Sequence, residues 1–314
     1  MLIDAFGSIG LAASFWQPLR DAGGEVRWFN PVLLKRLGFR DHRKMLVCDE
    51  ETAFIGGFNI TAEYLGDGVK SGWFDLGLEV VSPLAVQLAA AFDEMFKHAE
   101  SPHRWFKRTS RSIGKRDVTT DEGRLLLMGA VLGRNPFNRL LRQDLAKAKE
   151  VQIIAAYFLP TVRIRGELKR IARRGGRVQL MLPGKSDVML SQLASRSLYR
   201  RMMKAGVEIY EYQPQILHAK LIVVDDIIYA GSSNLDPRSL HLNYELMLRI
   251  ENKKLVAEAR KLFASRLEFC RRIELKAWRK ARTGWDRMKS RWASFILARV
   301  DPLVARWGPR RKRR

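Results

Sequence analysis

Five residue types recur at one spacing in two distant places. In the stretch 42–59, HRKMLVCDEETAFIGGFN, a His is followed two residues on by a Lys and five residues later by an Asp. The stretch 217–234, LHAKLIVVDDIIYAGSSN, repeats this, so that His42, Lys44 and Asp49 answer to His218, Lys220 and Asp225. Each copy then runs through an apolar segment to Gly56-Gly57 or Gly231-Ser232, and on to Asn59 or Asn234. An imidazole, an ammonium and an amide together suit a phosphate. Two such copies facing each other bring two imidazoles to one phosphorus, one to attack and one to protonate the leaving oxygen. A lone His-x-Lys carries no such meaning, and a single buried His is more often structural. The recurrence of the whole pattern half a chain away gives it weight.

The spacing also says what must hold these groups. Residues two apart on a strand face the same side, so His and Lys of each copy point together. The apolar runs after them, Met45 to Cys48 and Leu221 to Val224, anchor each strand in a core. The Gly-rich turns let backbone approach a ligand, and Ser232, Asn59 and Asn234 can donate to its oxygens.

The two stretches resemble the HKD motifs of the phospholipase D superfamily. The flanks RWFNP (27–31), DHRK (41–44), GGFNI (56–60), AAYFLP (155–160) and SSNLDPRSLHLNYE (232–245) are similar to those of bacterial cardiolipin synthases, and the similarity covers about residues 1–270. The resemblance implies an α/β fold: two phospholipase D-like α/β/α sandwich repeats, with mixed sheets packed face to face about a shared active site. It implies that Glu245, and by position Asp75, orients a catalytic His, since a His working on phosphate needs its second ring nitrogen held by a carboxylate. The alternative for either acid is an ordinary strand end. Asp49 and Asp225 take a structural, charge-balancing role by the same analogy.

A chain of 314 residues with 46% apolar residues can hold two cores. Its net charge of +24 points to a polyanion, anionic lipid or nucleic acid, without separating them. Two cysteines, Cys48 and Cys270, make neither a disulfide framework nor a zinc site. No run of 18 apolar residues offers a membrane span, and LIDAFGS after Met1 is no signal peptide.

Periodicity predicts strands at 2–6, 25–29, 75–81, 125–131, 151–158, 177–182 and 207–212. It predicts helices at 13–22, 84–98, 136–149, 162–173 and 187–204. Their alternation implies a mixed, largely parallel sheet covered on both faces. The expected domains are a first repeat over 1–99, a polar linker or flap over 100–123, a second repeat over 124–270 and a basic amphipathic tail over 271–314. Aligning the halves leaves the first repeat without a counterpart of roughly 124–176. We therefore expect the chain to start late relative to its family, with any upstream anchor outside it. Asp225 also lies one residue closer to Asn234 than Asp49 does to Asn59, so the second hairpin is expected to be tighter, which leaves the placement of Ser232 and Asn234 open.

Residues 271–314 carry sixteen Lys or Arg against three Asp or Glu. Trp278, Ala281, Trp285, Met288, Trp292 and Phe295 follow spacings of 3 and 4, one apolar stripe that Asp301-Pro302 should end. Trp beside many cations suits an interfacial helix on anionic lipid; a helix packed on its own domain and a nucleic-acid arm are the alternatives.

The expected function is phosphatidyl transfer of the cardiolipin synthase type through a phosphohistidine, with His42 attacking and His218 as the acid. No cofactor and no metal is expected. The expected partners are anionic phospholipids, phosphatidylglycerol foremost, and a membrane surface met through the C-terminal helix. The expected location is the cytoplasmic side of a bacterial cell membrane, peripherally. A phospholipase or nuclease of the same superfamily and a catalytically inactive membrane-binding scaffold are the rivals.

Overall fold

Local sequence chemistry sets where each element starts and stops. The computed structural model describes residues 1–30, 39–81, 83–99, 117–120, 123–129 and 135–300. In chain order the elements are β1 (Leu2–Asp4), α1 (Gln17–Asp21), β2 (Arg27–Phe29), β3 (Met45–Cys48), β4 (Thr52–Gly56), β5 (Gly77–Val81) and α2 (Pro83–Lys97). Then follow β6 (Asp117–Thr119), β7 (Arg124–Met128), α3 (Pro136–Lys147), β8 (Glu150–Ala155), α4 (Val162–Arg173), β9 (Arg177–Pro183), α5 (Met189–Arg196), α6 (Tyr199–Met203) and β10 (Glu208–Tyr212). The chain continues through β11 (Lys220–Val224), β12 (Ile227–Gly231), α7 (Pro237–His241), β13 (Glu245–Glu251), α8 (Lys253–Leu267), β14 (Cys270–Arg272), α9 (Leu275–Ala281) and α10 (Gly284–Phe295). Side chains of Asn135, Thr161, Asp236 and Asn252 accept from the first-turn amides of α3, α4, α7 and α8.

Nine strands form one sheet in the order β14-β10-β9-β8-β11-β12-β13-β7-β6. Only β8, β9 and β10 run parallel, joined through α4 and through α5 and α6. The remaining neighbours are antiparallel. The expectation of a largely parallel sheet is therefore corrected. Short turns such as Asp225-Asp226 can only reverse a strand, whereas parallel neighbours need a crossover helix. The predicted helix at 187–204 likewise breaks into α5 and α6, where the Ser197 hydroxyl turns back on the Ala194 carbonyl at 2.6 Å. The predicted helix at 13–22 opens as a 3-10 turn, Ala13–Trp16.

Alternation along the strands sends side chains to two faces. Ile153, Ile222, Val224 and Met247 join the core beneath α3, α4, α5 and α6. Ile154, Leu221 and Val223 pack with Val256, Ala259 and Phe263 of α8 on the other face. Beside α8 on that face, Leu125, Leu127, Leu246 and Leu248 meet Ala53, Ile55 and Val80 of a three-stranded antiparallel sheet, β3-β4-β5, together with α2. The two sheets thus pack face to face.

The first half differs from the second in one respect. β1 pairs in parallel with β2 alone, and among the described residues no strand lies between β1 and β3. In the second half β8 occupies the corresponding place between β9 and β11. Among the described residues nothing covers the outward face of β3-β4-β5, and Leu46, Phe54 and Val81 are exposed on it. Asp225 shows what a bridging strand does for a motif: its carboxylate accepts from the Lys149 and Glu150 amides at 3.0 and 2.8 Å, tying the hairpin turn to β8. Asp49 occupies the same kind of turn with φ 52° and is exposed.

The expected single stripe in the tail is also corrected. A capping box, with Thr283 and Asp286 bonded reciprocally, starts a new helix at α10. Trp278 on α9 turns inward against Tyr199, their rings 5.0 Å apart. Ser290 and Ala293 bury the inner side of α10 against α5. Trp285 and Trp292 are left 60% and 66% exposed, in line with exposed Met288 and Phe295. The expected stop at Asp301-Pro302 and most of the 100–123 linker lie outside the described residues; 117–119 forms the edge strand β6.

Candidate active site

Two backbone bridges bring the halves together. Asp41, before His42, bridges in parallel to Tyr244, before Glu245; Leu217, before His218, bridges in parallel to Phe74, before Asp75. The His42 amide donates to the Tyr244 carbonyl at 2.9 Å, and the His218 amide to the Phe74 carbonyl at 2.8 Å. Each His is therefore set beside the carboxylate of the opposite half.

The side chains complete that exchange. His42 Nδ1 lies 3.0 and 3.1 Å from the two carboxylate oxygens of Glu245. His218 Nδ1 lies 2.7 Å from Asp75 Oδ2. A carboxylate at Nδ1 fixes the tautomer with the proton there and leaves Nε2 as the working nitrogen. Glu245 is itself braced: Ser232 Oγ donates to it at 2.6 Å and Asn243 Nδ2 at 3.3 Å. Asp75 is held by the Leu76 amide at 2.7 Å. Gly57 is the counterpart of Ser232, and a Cβ there would lie 2.5 Å from Asp75 Oδ1 and 2.9 Å from Lys220 Nζ. Any larger residue at 57 collides with both groups.

The lysines lie with the histidines, as their strand spacing requires. Lys44 Nζ donates to the His42 carbonyl at 2.8 Å; Lys220 Nζ donates to the His218 carbonyl and lies 3.2 Å from His218 Nε2. The one-residue difference between the motifs falls in the hairpin turns. Cys48 pairs with Thr52 across three residues, and Val224 with Ile227 across two. Gly56 and Gly231 therefore stay in register, and so do the residues after them. Asn234 is buried, its side-chain carbonyl without a partner among the described residues, while Asn59 is exposed and donates to the Tyr64 hydroxyl at 3.4 Å.

Burial and charge set different states for the two imidazoles. His42 is pushed well below its ordinary value by desolvation, then by the charges of Lys44, Lys220 and His218. That His218 acts on it places the two rings in one electrostatic site. Burial raises Glu245 toward neutrality, so it offsets little of this. His218 is lowered by burial and Lys220, and Asp75 opposes the shift. Burial lowers Lys44, and lowers Lys220 to about 8. Neutral imidazole is thus favoured at His42, and imidazolium is better supported at His218.

The sequence reading missed the aromatic wall around His218. Tyr64 and Trp73 stand 5.4 and 5.5 Å from its ring, and Tyr157 6.4 Å. The Tyr64 hydroxyl lies 3.2 Å from His218 Nδ1, and Tyr157 donates to Asp187 at 2.6 Å. Period two could have found Trp73 and Asn243, which precede Asp75 and Glu245 by two residues. Nothing in the sequence signals Tyr64.

Residues 141–267 match a family model described as "Cardiolipin synthase, PLD-like domain". Cardiolipin synthase B of Salmonella typhi is 31% identical across 98% of this chain and 76% of its own length. Cardiolipin synthase 1 of Bacillus cereus is 30% identical across 96% of this chain, which spans 61% of that relative. The solved phosphatidylserine synthase of Haemophilus influenzae superposes with a TM-score of 0.72 over 97% of this chain and 81% of its own, at 14% identity, a likeness of fold alone. By these matches the chain belongs to the phospholipase D-like cardiolipin synthase family.

Proposed function

We propose that the chain is a phosphatidyltransferase of the cardiolipin synthase type, acting on anionic phospholipids with phosphatidylglycerol foremost. The observation that carries this reading is the pair of carboxylate-oriented imidazoles with two lysines beside them. Neutral His42 attacks phosphorus through Nε2 while His218 gives its proton to the departing glycerol oxygen; a P–N bond forms and a P–O bond breaks. His218, now neutral, takes the proton of an incoming hydroxyl, whose oxygen forms a new P–O bond as the P–N bond breaks. Lys44, Lys220, Asn59 and Asn234 are the groups for the non-bridging oxygens, where charge grows in the transition state. Asp49 and Asp225 serve the hairpins. Purified protein mixed with vesicles of labelled phosphatidylglycerol tests this: cardiolipin and free glycerol are expected. Phosphatidic acid alone, or DNA cleavage alone, would overturn it in favour of a hydrolase.

The sign of the pH dependence follows from Lys220. Its ammonium binds the phosphodiester anion and is lost as pH rises through about 8. Lys44, lowered to about 7, is lost first, so KM for a soluble short-chain phosphatidylglycerol is expected to start rising near pH 7 and to rise by roughly tenfold per pH unit above 8. A KM that stays flat to alkaline pH rejects this role.

We place the protein peripherally on the cytoplasmic face of the bacterial membrane, through α10. No described helix is long and apolar enough to cross a membrane. Trp285, Met288, Trp292 and Phe295 form an uncovered stripe flanked by Arg287, Lys289 and Arg291, the composition of a helix lying in an anionic interface. Replacing Trp285 and Trp292 together by Ala is expected to weaken co-sedimentation with phosphatidylglycerol vesicles by about tenfold or more, with thermal stability unchanged. Equal binding by the double variant would remove α10 from the membrane contact.

A further inference from the structure

A groove of about 720 Å³ opens from the His218 side of the site. Its inner end is made by Tyr64, Trp73 and Asp75, each of which also contacts His218. Its walls are apolar, with Phe58, Leu76 and Leu262, and its outer rim carries Ile60 and Leu65, 90% and 75% exposed. Among the described residues its charged lining is Arg266 of α8 with two acids, Asp75 at the inner end and Asp67, whose carboxylate is taken up by the amides of Val69, Lys70 and Ser71. The Arg266 guanidinium stacks over Phe74 at 4.9 Å and Phe269 at 6.0 Å. Those contacts use its face, and among the described residues its buried Nε has no hydrogen-bond partner. A guanidinium with an unpaired donor, set at the apolar wall of a groove beside the candidate catalytic centre, suits an anion carried by an amphiphile.

We propose that this groove is the subsite of the second, acceptor phospholipid, with Arg266 binding its phosphate. The inference rests on the transferase reading above and says how transfer is chosen over hydrolysis. Two phosphates must be held at once when one lipid is passed to another. The donor phosphorus takes His42, His218 and the two lysines, so the acceptor needs a cation of its own nearby. With its phosphate on Arg266 and its acyl chains along Phe58, Leu76 and Leu262 toward the Ile60–Leu65 rim, the acceptor directs its glycerol hydroxyl inward past Asp75. That oxygen bonds to phosphorus, the imidazole nitrogen leaves, and the hydroxyl proton passes to His218. An uncharged acceptor such as free glycerol uses the same chemistry without Arg266.

The test compares acceptors in one preparation of the 314-residue chain, with soluble short-chain phosphatidylglycerol as donor. Arg266→Met is expected to lower kcat/KM for phosphatidylglycerol as acceptor by about 30-fold, with Arg266→Lys intermediate. Glycerol exchange, which reports formation and resolution of the phosphohistidine, is expected to stay within about twofold. Ile60→Ser with Leu65→Ser, at exposed positions that do not threaten folding, is expected to raise the acceptor KM and spare glycerol exchange. Equal loss of both activities in Arg266→Met, or no loss in any variant, overturns the subsite. An absence of both activities in the unaltered protein instead overturns the transferase reading on which it rests.

Discussion

His42→Ala is expected to lower lipid transfer by about 10⁵-fold and to leave no covalent phosphatidyl intermediate, because it deletes the atom that bonds to phosphorus. His218→Ala is expected to cost less, about 10³-fold, since a missing acid leaves the nucleophile in place. The asymmetry follows from the two environments. His42 is kept neutral by burial and by the cations around it, beside a carboxyl that burial draws toward neutrality. His218 keeps a carboxylate partner that favours its proton. A substrate whose leaving group departs unprotonated, such as bis(p-nitrophenyl) phosphate, separates the roles. With it, His218→Ala should release one equivalent of nitrophenolate and then stall, because no base remains to activate the second nucleophile. Mass spectrometry should find the adduct on the peptide holding His42. A burst from His42→Ala, with the adduct on His218, would reverse the assignment.

What the sequence discloses and what it hides have physical reasons. His and Lys two apart on a strand are a local property, so both motifs could be read directly. Helix starts with a capping side chain and strands bounded by Gly turns are local too. Thr283 and Asp286 spell a capping box, a local signal at the point where the structure breaks the tail stripe. The sheet direction departs from what alternating strands and helices imply, because hairpins at Asp49 and Asp225 reverse the chain. Ser232 was expected at the phosphate; its hydroxyl instead donates to Glu245, a contact made across β12 and β13. Which carboxylate serves which His was invisible, because it depends on the Asp41–Tyr244 and Leu217–Phe74 bridges between residues more than a hundred positions apart.

Those bridges carry the second large effect. Glu245→Gln is expected to lower activity by about 10³- to 10⁴-fold through His42, a residue of the other motif. Glu245 accepts from His42, Ser232 and Asn243 on its two oxygens. A Gln amide offers one acceptor oxygen and an NH2 group with two donors, so one of these partners must face a second donor. If that partner is His42, the ring keeps its contact only by moving its proton from Nδ1 to Nε2, which removes the lone pair that attacks. Asp75→Asn is expected to cost less, about 10- to 100-fold, since among the described residues its hydrogen bonds go to His218 and the Leu76 amide and the Asn can turn its carbonyl toward the ring. The readout that separates crossed from uncrossed pairing is ring-nitrogen NMR. Glu245→Gln should shift the tautomer signals of His42 and leave those of His218 in place, and Asp75→Asn should lower the pKa of His218 alone. The opposite pattern, each carboxylate acting on the His of its own motif, would mean that the two halves do not exchange their orienting groups. A neutral nucleophile and a charged acid would then need another source.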